Sequence, residues 1–355
     1  MSKLENSRKI LLGVNFDSAK IGSRQNIETV EPPDNYIRDS FKIFAENDLN
    51  CVRIPFYWES FEKDPNGFMH ELEIISSEAD KNDITCIYDN HQWKCSSFLG
   101  EGIGFPNSIM SIIFKSNYFK DKSSCSPSQS DLEKFWNLWW DRKIIDKENK
   151  DGWELQLEFL NIIINKLNFK KSTYGFEILN EPQVFQSSEF KKVSKYHTFI
   201  VENLGKQTDK PFFFSYVFSN SLRAINFPWM QSKIRPVTKI KNKIIFDIHP
   251  YPPYYIVLYY YKLISILMKS SLIFAGEFNS GVKGNVTINS KQHRQYIRNF
   301  LNFSISGATF WWWSYKLDNN HPAFNLTKTL ENKIYPNSNF EILVKSIRNK
   351  TQKNR

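Results

Sequence analysis

What the chain lacks narrows its chemistry at once. Its four cysteines, Cys51, Cys86, Cys95 and Cys125, form no CxxC pair, so zinc-ribbon chemistry is not expected. No HExxH helix and no H-x-H pair is present. No glycine-rich loop follows an apolar run, as a nucleotide-phosphate site would require. The N-terminal "MSKLENSRKILLGVNF" has no secretory hydrophobic core with a small-residue cleavage site, and its apolar residues run straight into a strand. The longest apolar stretch, residues 254–268, is interrupted by Lys262 and is short for a membrane span of ~20 residues. A buried helix is expected there, with membrane or lipid contact as the alternative.

Basic blocks are also missing. The net charge is +10, but the lysines are scattered, and only "RNKTQKNR" at the end is strongly basic. No nucleic-acid motif accompanies the charge, so no nucleic-acid partner is expected. The charge reads as compositional bias with a disordered basic tail over residues 351–355. Internal repeats, a second domain and long linkers are absent, which leaves residues 1–350 as one domain. Cys51 and Cys86 fall in predicted strands and read as core thiols. Cys95 and Cys125 lie in or beside one long connection and can pair only in an oxidising compartment.

What the chain does contain is a series of short apolar, β-rich runs: residues 10–16, 51–56, 84–91, 174–181, 212–218, 244–251, 272–278 and 308–314. Runs of this kind suit strands buried on both faces of a parallel sheet. Helical patterns lie between most of them. The first, "DNYIRDSFKIFAENDL", opens on Asp34 as a candidate N-cap. The helix between the fifth and sixth runs has the weakest pattern. Eight alternating units predict an α/β fold, a (β/α)8 TIM barrel, in preference to an open doubly wound sheet. Residues 92–150 form an elaborated loop after strand 3, with a helix of its own.

Reactive groups in such a barrel sit at the C-terminal ends of the strands, and the unusual residues of this chain fall there. Strand 2 carries Arg53, strand 3 ends at Asp89 and His91, and strand 4 ends at Asn180-Glu181. Strand 6 ends at His249 and Tyr251, strand 7 at Glu277, and strand 8 in Trp311-Trp312-Trp313. Two glutamates on strands that face each other across a barrel mouth suit glycosidic cleavage, which needs two carboxyls. Arg53 can hold one of them ionised. Glu177 shares strand parity with Glu181 one pleat deeper and reads as a structural partner. Asp89, His91, Glu181, His249 and Glu277 could in principle ligate a divalent ion, but Arg53 beside them would repel it, so no metal is expected.

The ordered motifs "NCVRIPF", "DNH", "EILNEP", "IHPY", "GEF" and "TFWWWSY" resemble those of glycoside hydrolase family 5, the barrel family that includes cellulases and mannanases. The resemblance runs from residue 10 to about 315. It implies a retaining hydrolase of β-glycosidic bonds, with an endo-β-glucanase as the first reading. Mannanase, exo-β-1,3-glucanase and glycolipid glycosidase are the alternatives, and a non-catalytic carbohydrate-binding barrel is a further one. By the same resemblance Glu181 is the acid/base and Glu277 the nucleophile, with Arg53 and Tyr251 supporting Glu277. Asn180 would bind the sugar 2-hydroxyl, His91 would line that subsite, and His249 would sit beside Glu181.

The strand-8 tryptophan of the family matches Trp311. Trp313 is the fallback because strand alternation places it on the same face, with Trp312 toward the helices. Trp58, Trp93, Phe105, Trp229 and Tyr254 are possible sugar subsites on rim loops, whereas Trp136, Trp139 and Trp140 have the spacing of a buried helix face. A monomer with no cofactor and a β-glycan substrate is expected. A polysaccharide enzyme would act outside the cell, although no signal segment is written in these residues.

Overall fold

The computed structural model describes residues 10–22, 33–114, 126–219, 223, 227–240, 244–251, 254–268, 272–279, 287–302, 305–314, 322–331 and 333–351. Eight parallel strands close into a barrel: β1 (Leu11–Phe16), β2 (Cys51–Phe56), β3 (Thr85–Asn90), β4 (Thr173–Glu177), β5 (Phe212–Ser215), β6 (Ile244–Ile248), β7 (Ile273–Phe278) and β8 (Gly307–Trp313). Each pairs with the next in chain order, and β8 returns to β1. Each of the eight predicted runs overlaps one of these strands, with 174–181, 212–218 and 244–251 extending three or four residues beyond the strand end.

The outer layer begins with α1 (Pro33–Glu46), α2 (Trp58–Lys63), α3 (Pro65–Lys81), α4 (Asn107–Ile113), α5 (Gln129–Trp140) and α6 (Gly152–Leu167). It continues with α7 (Glu189–Leu204), α8 (Pro228–Gln231), α9 (Tyr254–Leu267), α10 (Ser290–Asn302) and α11 (Ser338–Thr351). Helix starts follow local chemistry. Asp64 accepts from Gly67 N at the start of α3, with Pro65 at the first helical position. Asp151 and Glu154 close a capping box on α6. Asp34 differs from its expected role: α1 starts one residue earlier, so Asp34 lies in the first turn, where its charge complements the helix dipole. The weak pattern between β5 and β6 yields only the short α8 and a 3-10 turn, Ser232–Ile234.

The barrel interior is built in layers, because residues two apart on a strand share a face. Cys51, Ile87, Phe213, Ile245 and Phe274 pack together as an apolar floor. Two residues further along the same strands come Arg53, Asp89, Ser215, Asp247 and Gly276. Arg53, Asp89, Ser215 and Asp247 have no exposed surface. Above Asp89 and Asp247 stand His91 and His249. Gly276 is required by packing: a Cβ there would collide with the Asp247 carboxylate. Its own N–H donates to Asp247 Oδ1 at 2.6 Å.

Three expectations are corrected. The apolar run 254–268 is not buried all round. Leu258, Tyr261, Ile264 and Met268 face the core, but Tyr259, Leu263, Ile266 and Leu267 are 67%, 47%, 62% and 44% exposed. No helix among the described residues is long and apolar enough to cross a membrane. The predicted fourth strand also overshoots: β4 ends at Glu177, although Ile178 N still donates to Phe213 O at 3.2 Å and Asn180 N to Asn90 O at 3.0 Å.

The third correction concerns β8. Trp313 faces outward and is fully buried, its indole N–H donating to Ser40 Oγ at 2.9 Å and its ring packing on Phe44 and Phe340. Trp312 instead stacks on Trp311 at 4.9 Å. The cause is a bulge: Val14 and Phe16 of β1 pair with Phe310 and Trp313, so three steps on β8 oppose two on β1. Alternation breaks at such a site. The Trp311–Trp312 peptide is cis.

The long connection after β3 supplies α4 and α5. Residues 115–125, including Cys125 and hence its pairing with Cys95, lie outside the described residues, as do 352–355 of the basic tail. Cys51, Cys86 and Cys95 are buried thiols. Trp136, Trp139 and Trp140 are all buried, stacking among Phe105, Phe135 and Tyr196. Trp139→Ala is expected to destabilise the fold by about 3–5 kcal/mol, read as a lowered midpoint in denaturant unfolding at unchanged m-value. A loss below ~1 kcal/mol would contradict the packing described.

Candidate active site

The site starts from one buried cation. Arg53, on the inner face of β2, reaches groups from five other strands or their ends. Its Nη1 donates to Asn15 Oδ1 at 2.9 Å and to Glu277 Oε1 at 3.0 Å. Its Nη2 donates to Asn180 Oδ1 at 3.0 Å and lies 3.0 Å from Asp89 Oδ2. Nε donates to Glu177 Oε2 at 2.9 Å, and Asp247 Oδ2 is 3.8 Å away. Burial works against its charge, but Asp89, Glu177, Glu277 and Asp247 together hold its pKa well above the ordinary arginine value. Burial pushes the Glu177 carboxyl well up, with Arg53 pulling against it.

Glu181 and Glu277 meet at the mouth. A Glu181 carboxylate oxygen lies within 4.8 Å of one of Glu277, and His249 Nδ1 is 2.7 Å from Glu181 Oε1 and 3.7 Å from Glu277 Oε2. Glu277 is 6% exposed, and Tyr251 donates its hydroxyl to Glu277 Oε2 at 3.0 Å. Burial, then the Glu277 charge, raises the Tyr251 pKa well above its ordinary value, so the phenol remains a donor. Glu181 follows the end of β4 in a left-handed conformation, φ 39, and 23% of its side chain is exposed. Its Oε1 takes two contacts, from Tyr216 Oη at 2.9 Å and His249 Nδ1 at 2.7 Å.

Burial alone would raise the Glu181 pKa, but the hydrogen bond and charge of His249, with the Tyr216 hydroxyl, bring it below the ordinary carboxylate value. His249 shows the converse. Burial disfavours its charge, but Glu277, Asp247 and Glu181 raise its pKa well above the ordinary value. The two shifts run in opposite directions, each favouring the charged form of its group.

The structure brings the remaining candidates together around these groups. His91 Nδ1 is 2.6 Å from Asp89 Oδ2, and its ring stacks on Trp311 at 5.6 Å. Asn180 Nδ2 lies 3.3 Å from His91 Nε2 and donates to Gln92 O at 3.2 Å. Trp313 is removed from the site by the β8 bulge. Trp58 is also removed: it is 8% exposed and stacks on Phe159 of α6 at 5.5 Å, because α2 turns it into the helix layer. Phe105 is likewise buried, against α5. Trp93 and Trp229 are 49% and 53% exposed, Trp229 stacked on Phe227. The side chain of Tyr254 lies outside the described residues.

Four contributors went unnoticed in the sequence. Asn15 and Asp247 each interrupt an apolar strand with a polar group, a signal that was available. Gln92 Nε2 donates to the carbonyls of Asn180 and Glu181 at 3.0 and 2.8 Å, and nothing in its loop position announces this. Tyr216 ends the run "FFFSY" as one more aromatic. Two three-residue groups, Glu177/Asp247/His249 and Glu181/His249/Glu277, are close enough for a cation. His249 is common to both, and Arg53 lies 3.0 Å from Glu277 and 2.8 Å from Glu177.

A closed parallel barrel with paired carboxylates at its C-terminal mouth defines a class, the barrel glycoside hydrolases. The chain belongs to glycosyl hydrolase family 5: the family model "Cellulase (glycosyl hydrolase family 5)" matches residues 22–317. It is a glycoside hydrolase. No curated protein matches the sequence. Solved structures with the same fold include endo-glycoceramidase II from Rhodococcus sp. in an iminocyclitol complex, 13% identical, covering 88% of this chain and 74% of that one at a TM-score of 0.64. An endogalactoceramidase is 15% identical, with 87% and 72% coverage and a TM-score of 0.63. The Pseudomonas stutzeri endoglucanase Cel5A is 12% identical, with 95% and 93% coverage and a TM-score of 0.59.

Two outcomes follow for the Glu181–His249 pair. Tyr216→Phe removes a donor to the ionised carboxylate, so the Glu181 pKa is expected to rise, as read by NMR titration of ¹³C-labelled glutamate. An unmoved titration would contradict the contact. The second concerns stability. The folded-state pKa of His249 lies above its ordinary 6.5, so its contribution is full below that value and fades as pH rises through the raised pKa. The lowered Glu181 contributes above its ordinary 4.5 and loses that contribution as pH falls through its folded value. The melting-temperature gap between wild type and His249→Asn is expected to be widest between about pH 4.5 and 6.5 and to narrow on both sides. A pH-independent gap would contradict it.

Proposed function

We propose that the protein is a retaining β-glycosidase in which Glu277 is the nucleophile and Glu181, with His249, the acid/base. The observation that carries this reading is the approach of the two carboxylates to within 4.8 Å. Retaining enzymes hold their carboxyls about 5–5.5 Å apart, whereas inverting enzymes need roughly 6.5–9.5 Å to admit a water. Arg53 and Tyr251 keep Glu277 anionic and aimed.

In the first step a Glu277 oxygen bonds to the anomeric carbon as the bond to the leaving oxygen breaks. The Glu181–His249 pair delivers its proton to that oxygen through Glu181. Ester formation removes the Glu277 charge, the foremost influence raising the His249 pKa. The pair is then one proton short and suited to take a proton from water. Hydroxide attacks the anomeric carbon, the ester breaks, and the pair regains its proton. In this reading Asn180, held by Arg53, would meet the sugar 2-hydroxyl, and Trp311, stacked on His91, would line the same subsite.

For the substrate, the first reading is a β-glucan. A second reading, a β-linked glycolipid, is favoured by one observation: α9 begins three residues beyond Tyr251, and its outward residues Tyr259, Leu263, Ile266 and Leu267 are apolar and exposed. A panel of β-glucans, mannan and lactosyl or glucosyl lipids, with product sizing, separates the two.

Glu277→Ala is expected to abolish hydrolysis of an aryl β-glycoside. Glu181→Ala should lose about 10²–10⁴-fold with a poor leaving group, and much less with dinitrophenolate, which needs no protonation. Wild-type turnover in either variant would sink the assignment, as would a first product of inverted configuration.

A further inference from the structure

One flank of the barrel has a composition that the glycosidase site does not use. Between Asp209 and Glu277 the chain holds nine Lys and Arg but one acidic residue, Asp247, and that one is sealed inside the barrel. On α9, the outward residues Tyr259, Leu263, Ile266 and Leu267 are all more than two-fifths exposed. Their spacing gathers them on one helix face. The next helix round the wall, α10, carries no acidic residue. Its Lys291, Arg294 and Arg298 are exposed at helical spacing. An apolar stripe and a basic stripe thus occupy neighbouring helices.

We propose that this α9–α10 flank is a docking surface for an anionic phospholipid bilayer. An apolar helix face bordered by cations is what an interfacial helix presents to acidic headgroups and the acyl boundary beneath them. α9 is too short to span, so the contact is peripheral. A second copy of the chain fits poorly, because a two-fold contact across this flank would oppose two clusters of like charge. The flank is continuous with the mouth: α9 starts just after Tyr251, which bonds Glu277. Docking would therefore hold the mouth near β-glycosides displayed on the surface. The proposal does not depend on which bond the site cleaves.

The test is co-sedimentation of the full chain with phosphatidylcholine vesicles, with and without about 30% phosphatidylserine, at low and high salt. Wild type is expected to sediment with the acidic vesicles, to release with salt, and to leave the neutral ones largely unbound. Lys291→Gln/Arg294→Gln/Arg298→Gln should lower the partition about 100-fold, since each cation near the surface contributes roughly fivefold. Leu263→Gln/Ile266→Gln should lower it at least about tenfold. Both variants should keep the circular dichroism melt and the aryl β-glycoside turnover of wild type, because these side chains lie on the outer wall.

Wild type that stays in solution with both vesicles overturns the proposal. So do variants that bind as wild type, or a wild-type dimer that Leu263→Gln/Ile266→Gln dissociates. Vesicle binding without aryl-glycoside hydrolysis would fault the glycosidase assignment and leave the docking surface standing.

Discussion

Everything at the mouth of this barrel is referred to the Arg53 guanidinium. It lies with no exposed surface among Asp89, Glu177, Asp247 and Glu277, and it fixes Asn15 and Asn180 through their amide oxygens. A buried charge of either sign is costly alone. The arginine and the carboxylates therefore require one another, and the network spans β1, β2, β3, β4, β6 and β7. The apolar floor beneath supplies the low-dielectric setting in which these pairings are strong. Closing the barrel and assembling the site are one event.

From that centre the rim acquires its asymmetry. Glu277 faces the cation and the Tyr251 hydroxyl, while Glu181 faces an imidazole and a phenol at the opposite side. Two acids of the same kind are thus given different partners, and different surroundings push carboxyl pKa values apart. The chain belongs to family 5, and the fold it shares with glycoceramidases and an endoglucanase does not by itself fix the substrate.

Much of this was legible in the residues. The eight strands announced themselves as short apolar runs, and the unusual residues near the ends of six of them marked the rim. What escaped notice did so for physical reasons. Trp313 left the predicted face because the β8 bulge inserts a residue, and a bulge has no signature in the letters "WWW". β4 appeared longer because Ile178 and Leu179 remain apolar while leaving regular pairing. Tyr216 was hidden among phenylalanines, its function residing in one hydroxyl. The run at 254–268 read as buried because apolar content does not say which side faces out, and the outer side stayed apolar.

Gln92 has a consequence of a different order. Its amide nitrogen clasps the Asn180 and Glu181 carbonyls, and its amide oxygen accepts from Cys95 N at 2.9 Å. One side chain thus stands as an anchor between the reacting centre and the extended connection that follows β3. A shift of the Cys95 amide in that connection therefore reaches the backbone of Asn180 and Glu181 through one side chain, so the loop and the mouth are mechanically linked.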